Sequence, residues 1–261
     1  VNPKGTFSLP DPRTRSISLG DLKGFAASLG DDGSALKRAI HHVAGPMGNW
    51  QDGLPRLDAD LFYLLGLIAS DGALSRRGKY ECFVNFVNTD EGLLRTFAET
   101  YQRVFPDRSL GRAGKDLVGG KINGRQIRSS QPAFTLYGAN PLLGLIADAF
   151  GVKRSSAPRW DLARLVNLPK DYIAAFLAGC FDGDGSVRIR QYDGKWEVGE
   201  AYLCIEDRRA ASHLQLLLKR LGIVSHLKVS GRVHKITLHG RDLRRFAEVV
   251  PVQHPAKRKT L

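Results

Sequence analysis

Two nonapeptides in this chain each run apolar and small residues into an aspartate followed by glycine. Residues 64–72 read LLGLIASDG and residues 177–185 read LAGCFDGDG. A carboxylate at the end of an apolar helix suits one kind of chemistry. The last carbonyls of a helix have no intrahelical partner and point outward with the negative end of the helix dipole. Asp71 and Asp184 at two such ends would gather oxygen atoms in the way a hard divalent cation requires. Such a cation can act as a Lewis acid and activate a water molecule. Asp182, two positions before Asp184, faces elsewhere on a helix and is read as structural. Cys180 holds an apolar position and is read as a small buried hydrophobe.

Both nonapeptides need helices to position them. Helix-start chemistry precedes each: Asp58 and Asp60 before the first, Pro169 and Asp171 before the second. The Asp-Gly ends are expected to close each helix with a left-handed glycine. Within each helix a small residue recurs four positions on, Gly66 with Ser70 and Gly179 with Gly183. Residues so spaced share a face, and glycine inside a helix costs about 1 kcal/mol relative to alanine. Two matching smooth stripes therefore predict two helices packed backbone to backbone, with Asp71 and Asp184 side by side.

The flanks repeat as well. GKYECFVNFVNTDEGLLRTFAETYQRVF (78–105) is answered by GKWEVGEAYLCIEDRRAASHLQLLLKRLGI (194–223), and FTLYGANPLLGLIADAF (134–150) by ITLHGRDLRRFAEVV (236–250). Each half reads helix, two strands, helix, two strands, helix, an α+β pair related by a pseudo-twofold. The formal net charge is +13, spread along the chain, which points to a folded positive surface for a polyanion such as nucleic acid. The apolar runs are too short to span a bilayer. Three scattered cysteines, with no CxxC pair, argue against a disulfide framework and a zinc site. With no signal-peptide pattern or lipidation motif, the setting expected is intracellular, in cytoplasm, nucleoid or organelle, without a membrane.

Two such nonapeptides, each followed by the same αβ pattern in a basic chain, resemble the LAGLIDADG homing endonucleases in their single-chain, two-motif form, over about residues 56–261. The resemblance implies a fold of two αββαββα units: 56–160 and 161–261, with the motif helices as their interface and two antiparallel sheets forming a DNA-binding saddle. It implies site-specific double-strand cleavage of a long DNA target. It also implies Asp71 and Asp184 as ligands of divalent metal, together with the carbonyls of Ser70 and Gly183. Two or three Mg2+ ions are expected, with Mn2+ or Ca2+ able to substitute. The first motif departs from the family pattern, with Ala69-Ser70 where Asp-Ala is usual; the position affected is not the metal ligand. The family places a basic residue near each scissile phosphate. Lys257 is the choice over Lys259 in the second half, and Lys153, Arg154 and Arg159 are the candidates in the first, Lys153 being taken as catalytic. Two motifs in one chain imply a monomer. A scaffold of this kind that binds DNA or RNA without cutting, as a maturase or transcription regulator, is the alternative.

Strand faces are expected to read DNA. Alternation in VRIRQY sets Arg188 and Arg190 opposite Val187 and Ile189; KINGR sets Lys121, Asn123 and Arg125 on one face; HKITLHG sets Lys235 with Thr237 and His239; Lys228 lies on a neighbouring strand. Residues 1–55 fall outside the repeat. FAASLGDDGSALKRAIHHVAG (25–45) reads as a helical segment, either helix-turn-helix-like or a cap on the first half. Val1 and the KRKTL end lack the residues of a complete intein, leaving an endonuclease domain derived from one, or a free-standing intron protein.

Overall fold

A computed structural model describes residues 42–44, 50–52, 55–77, 81–115, 121–122, 125–126, 132–153, 160–192 and 196–261. The chain divides into two units, Val1–Leu54 and Pro55–Leu261. In the first, β1 (His42–Ala44) pairs antiparallel with β2 (Trp50–Asp52). Over His42–Ala44 this differs from the helical reading of residues 25–45: Val43 and Trp50 favour a pleated pair over a helix turn. The rest of the helix-turn-helix reading lies outside the described residues.

The second unit is a repeated αββαββα arrangement. Its first half comprises α1 (Ala59–Ser70), β3 (Gly72–Arg77), β4 (Glu81–Asn88), α2 (Glu91–Val104), β5 (Gly111–Lys115), β6 (Lys121–Ile122), β7 (Arg125–Gln126), β8 (Ala133–Ala139) and α3 (Pro141–Phe150). A 3-10 turn at Leu162–Asn167 leads to the second half: α4 (Lys170–Asp184), β9 (Ser186–Tyr192), β10 (Trp196–Ile205), α5 (Arg208–Arg220), β11 (His226–Ser230), β12 (Val233–His239), α6 (Gly240–Val249) and α7 (Pro255–Thr260). The sheets are antiparallel and of one topology, β3-β4-β8-β5 and β9-β10-β12-β11. The α+β pseudo-twofold pair expected from the repeat is therefore the fold observed. No helix among the described residues is long and apolar enough to cross a membrane.

Local chemistry fixes the helix starts. Asp58, Asp90, Asn140 and Asp207 each accept from the backbone N–H three residues on, at 2.8–3.0 Å, caps worth about 1 kcal/mol apiece. Asp60 instead pairs with Arg103. In α2, Leu93, Leu94, Phe97 and Tyr101 form one buried stripe against the sheet, and Phe97 stacks on Phe86 at 4.2 Å.

The motif helices α1 and α4 are buried along nearly their whole length and pack on each other. Their glycines are required by that approach. A Cβ at Gly66 would sit 2.9 Å from Cys180 N, and one at Gly179 would sit 2.7 Å from Leu67 N, both backbone atoms. Gly183 meets Ser70, whose Cβ would lie 2.5 Å from an added Cβ. The Asp-Gly glycines differ from expectation. Gly185 is extended (φ −71°, ψ 150°), and Gly72 is not among the left-handed glycines. What excludes a side chain there is the preceding turn: Ile68 Cα would be 2.6 Å from a Cβ on Gly72, and Phe181 Cγ 2.5 Å from one on Gly185.

Candidate active site

The helix pair delivers both motif aspartates to one place. Asp71 closes α1, its N–H bonded to Leu67 O at 3.1 Å. Its carboxylate lies against the other motif: Oδ2 would be 3.1 Å from a Cβ built on Gly183. The same Oδ2 accepts from Asn88 Nδ2 at 2.8 Å. Burial and then the charge of Asp184 push the Asp71 carboxyl up to about 6, against the opposing pull of Asn88, Lys257 and Lys153. Asp184 is exposed, yet desolvation still lifts its carboxyl above the ordinary range, opposed by Lys153 and Lys257.

A lysine sits at the end of each motif helix, and both lysines act on both aspartates. Lys257, on α7, donates from Nζ to the carbonyls of Phe181 (3.0 Å), Asp182 (2.7 Å) and Gly183 (2.9 Å), the unpaired end of α4. Burial lowers its pKa, while Asp182, Asp71, Asp184 and Asp90 work to raise it. Lys153 follows α3 and the left-handed Gly151, and is itself left-handed at φ 43°. A side chain in that region carries strain of order 1 kcal/mol, which the surrounding loop must hold. Arg76 does so, donating to Lys153 O at 2.9 Å and to Asp148 Oδ1 at 2.9 Å. Lys153 Nζ donates to Gly72 O and, at 3.4 Å, to Ser70 O. Of the other basic candidates, Lys259 is exposed, and Arg154 and Arg159 lie outside the described residues.

The Ser70 and Gly183 carbonyls thus already accept from ammonium groups. A carbonyl oxygen has two lone pairs, so a metal can share it. Among the described residues no three His, Cys, Asp or Glu side chains gather around one point. Two carboxylates near enough that the charge of Asp184 adds to burial in raising the Asp71 pKa fit a cation held by few protein ligands. Mg2+ is bound in this way, through one or two carboxylates with water and substrate phosphate completing the shell.

Asp182 is fully buried. It accepts from Tyr63 OH of the other motif helix (2.7 Å) and from the backbone N–H groups of Gln253 (2.8 Å) and His254 (3.1 Å). Burial raises its carboxyl pKa, and these donors pull it back. It therefore pins the segment that leads into Lys257. His254 Nε2 also lies 3.3 Å from Asp90 Oδ2, in the first half. The first motif has Ala69 at the matching position. Cys180 is buried, as expected. Sequence reasoning missed Asn88, which was read only as part of a strand leading into a helix start; the register-equivalent residue of the other half is Ile205, so no repeat marks it.

The strand candidates fall as follows. Arg188 lies opposite Glu200 in the strand register and is exposed on the open face of the second sheet, its guanidinium 5.0 Å from the Tyr202 ring. Lys235 lies over the same ring at 3.9 Å and is ion-paired with Glu200. Lys228 is exposed opposite Lys235. Arg190 continues β9. KINGR is not one strand: Lys121–Ile122 pairs with Arg125–Gln126 as a hairpin, so the expected alternation does not apply. The intervening Asn-Gly is a strong hairpin signal in sequence; Asn123 itself lies outside the described residues.

Residues 171–251 match the LAGLIDADG-like domain. Over 205 residues, 78% of the chain, there is 32% identity to an A-type ATP synthase subunit from Methanopyrus kandleri; the match spans 17% of that relative's length. Among solved structures, a mesophilic variant of the homing endonuclease I-DmoI superposes with a TM-score of 0.52 at 17% identity, covering 75% of this chain and 91% of its own. I-DmoI in complex with DNA and Mn gives 0.51 at 16%, covering 75% and 98%. The homing endonuclease I-WcaI bound to its DNA recognition sequence gives 0.50 at 13%, covering 78% and 85%.

Proposed function

We propose that this chain, which has the fold of the two-motif LAGLIDADG homing endonucleases and a LAGLIDADG-like domain in its second half, is a site-specific, divalent-metal-dependent DNA endonuclease. The observation that carries the reading is the convergence of Asp71 and Asp184 at the ends of two touching helices, each with a lysine beside it. The matched segment fills only 17% of a relative named for a different activity. That favours a nuclease domain carried inside a longer host protein, as in an intein.

Asp71 and Asp184 would hold the cation, with the Ser70 and Gly183 carbonyls in reach of it. Bound there, Mg2+ would supply charge relief at the scissile phosphate and an activated water. The residues of the chain do the rest. Asn88 donates to one oxygen of Asp71 and so fixes the carboxylate plane. Lys257 and Lys153 bring positive charge to the two helix ends, where a phosphate would gain charge in the transition state. Their present carbonyl partners keep both ammonium groups at the site before DNA arrives. The closeness of the helices sets the spacing of the two sites, one for each strand. The positive charge of the molecule draws the duplex in.

The test is a cleavage selection on a randomised plasmid library with Mg2+. An enriched double-strand cut at a long site is expected. Tight binding to selected DNA with no cut under any divalent ion would favour the non-cleaving alternative and overturn the enzyme reading.

A further inference from the structure

The matched registers of the two sheets allow their open faces to be compared position by position. In the first sheet one row across the strands is Ala73, Asn85, Tyr137 and Gly111. In the second sheet the same row is Ser186, Tyr202, Thr237 and His226. These rows lie on the side away from the core, because their neighbours Val84, Phe86, Leu136, Ala201, Leu203, Ile236 and Leu238 are buried. The faces differ in kind on either side of that row. Where the second sheet has Arg188, the first has Ser75; His239 is matched by Ala139. Lys235 and Lys228 are matched by Thr135 and Ala113, beside Val87. Among the described side chains, these three rows of the first sheet hold no charge, and Tyr137 and Val87 stand 45% and 42% exposed there.

We infer that the two sheets read different base chemistry: these rows of the first sheet contact A·T pairs in one half of the DNA target, and the same rows of the second contact guanine in the other. The inference rests on the DNA-binding reading above and specifies its substrate. In the major groove, thymine presents a methyl group that apolar side chains contact, and adenine presents a donor and acceptor pair that a carboxamide matches. Val87, Ala113 and Ala139 supply the apolar surface, and Asn85 the carboxamide. Guanine presents two acceptors, which Arg or Lys satisfies. Arg188 and Lys228 supply those donors on the second sheet alone. Lys235 is ion-paired with Glu200, so among the described side chains of these rows Arg188 and Lys228 carry the distinction. The first half also gains less from phosphate charge within these rows, so more of its grip comes from apolar contact.

The experiment is a binding selection by the whole chain on a randomised duplex library, without divalent metal, so that cleavage plays no part. The parent is expected to select a site whose most constrained positions are A·T in one half and include guanine in the other. Asn85→Ala should lower discrimination only in the A·T half, and Arg188→Ala only in the guanine half, each by about 10- to 100-fold at its base pair. Guanine contacts constrained equally in both halves would overturn the inference, as would loss of preference in the same half from both variants. Binding that selects no sequence at all would instead overturn the reading of the chain as a site-specific DNA-binding protein, and the inference with it.

Discussion

At neutral pH Asp71 is ionised against its surroundings. Burial and Asp184 raise its carboxyl from 3.8 to about 6, so between those values the folded protein binds a proton that the unfolded chain releases. Stability of the metal-free protein therefore falls as pH rises through that window, and the penalty is complete above about 6. Asp71→Asn removes that charge, and the metal-free variant should melt higher than the parent at pH 7, by about 1 kcal/mol after solvent screening. Cutting runs the other way: activity should drop as pH falls below about 6, where Asp71 loses the charge that holds a cation. A thermal melt and a pH–rate profile check the two signs. Asp182 acts through what it pins. Asp182→Asn keeps the volume but presents an NH2 group to donors, loosening the segment that carries Lys257. Lys153 is held separately, through Arg76. The expected result, well below the melting temperature, is accumulation of nicked plasmid, since one strand is slowed by about tenfold or more while the other is cut. Equal slowing of both strands would mean that Asp182 serves stability alone.

At the scale of elements, the seam between α1 and α4 decides both stability and site spacing. Gly183→Leu would help an isolated helix by up to about 1 kcal/mol. In the packed pair the new side chain must displace Ser70 and the Asp71 carboxylate, an overpacking cost of about 1–3 kcal/mol. Gly179→Ala meets backbone at Leu67 N instead and has less room to relax. Both are expected to lower the melting temperature and reduce metal-dependent cutting; a variant that melts and cuts like the parent would show that the seam is not what the glycines serve. This seam was legible in sequence because small residues at i and i+4, repeated at matching places, have few other physical causes. The alternation of HKITLHG was legible for a similar reason, a period of two that buries Ile236 and Leu238, whereas in VRIRQY Ile189 stands 55% exposed. The Asp-Gly closures were misread, because the side-chain exclusion comes from the preceding turn and not from a left-handed φ, and local sequence does not distinguish these. Asn88, the Asp182 clamp and the Glu200–Lys235 pair were illegible because their partners are joined by register or by segments far apart in sequence.

For the whole molecule, two motif helices in one chain satisfy internally the interface that a single-motif protein would need a partner to fill. Sedimentation without DNA should therefore show a monomer. The net charge of +13 should make DNA binding fall steeply with salt, with a log–log slope of about −0.9 for each phosphate neutralised. The most direct test uses a supercoiled plasmid carrying the selected target, incubated with Mg2+ and with the parent, Asp71→Asn or Asp184→Asn, while binding is followed on the same DNA. The parent should linearise the plasmid. Each variant should still bind but fail to linearise it, because each change removes one carboxylate and leaves the helix seam intact. Linearisation at the parent rate by either variant would contradict the assignment of the paired aspartates as the cutting site.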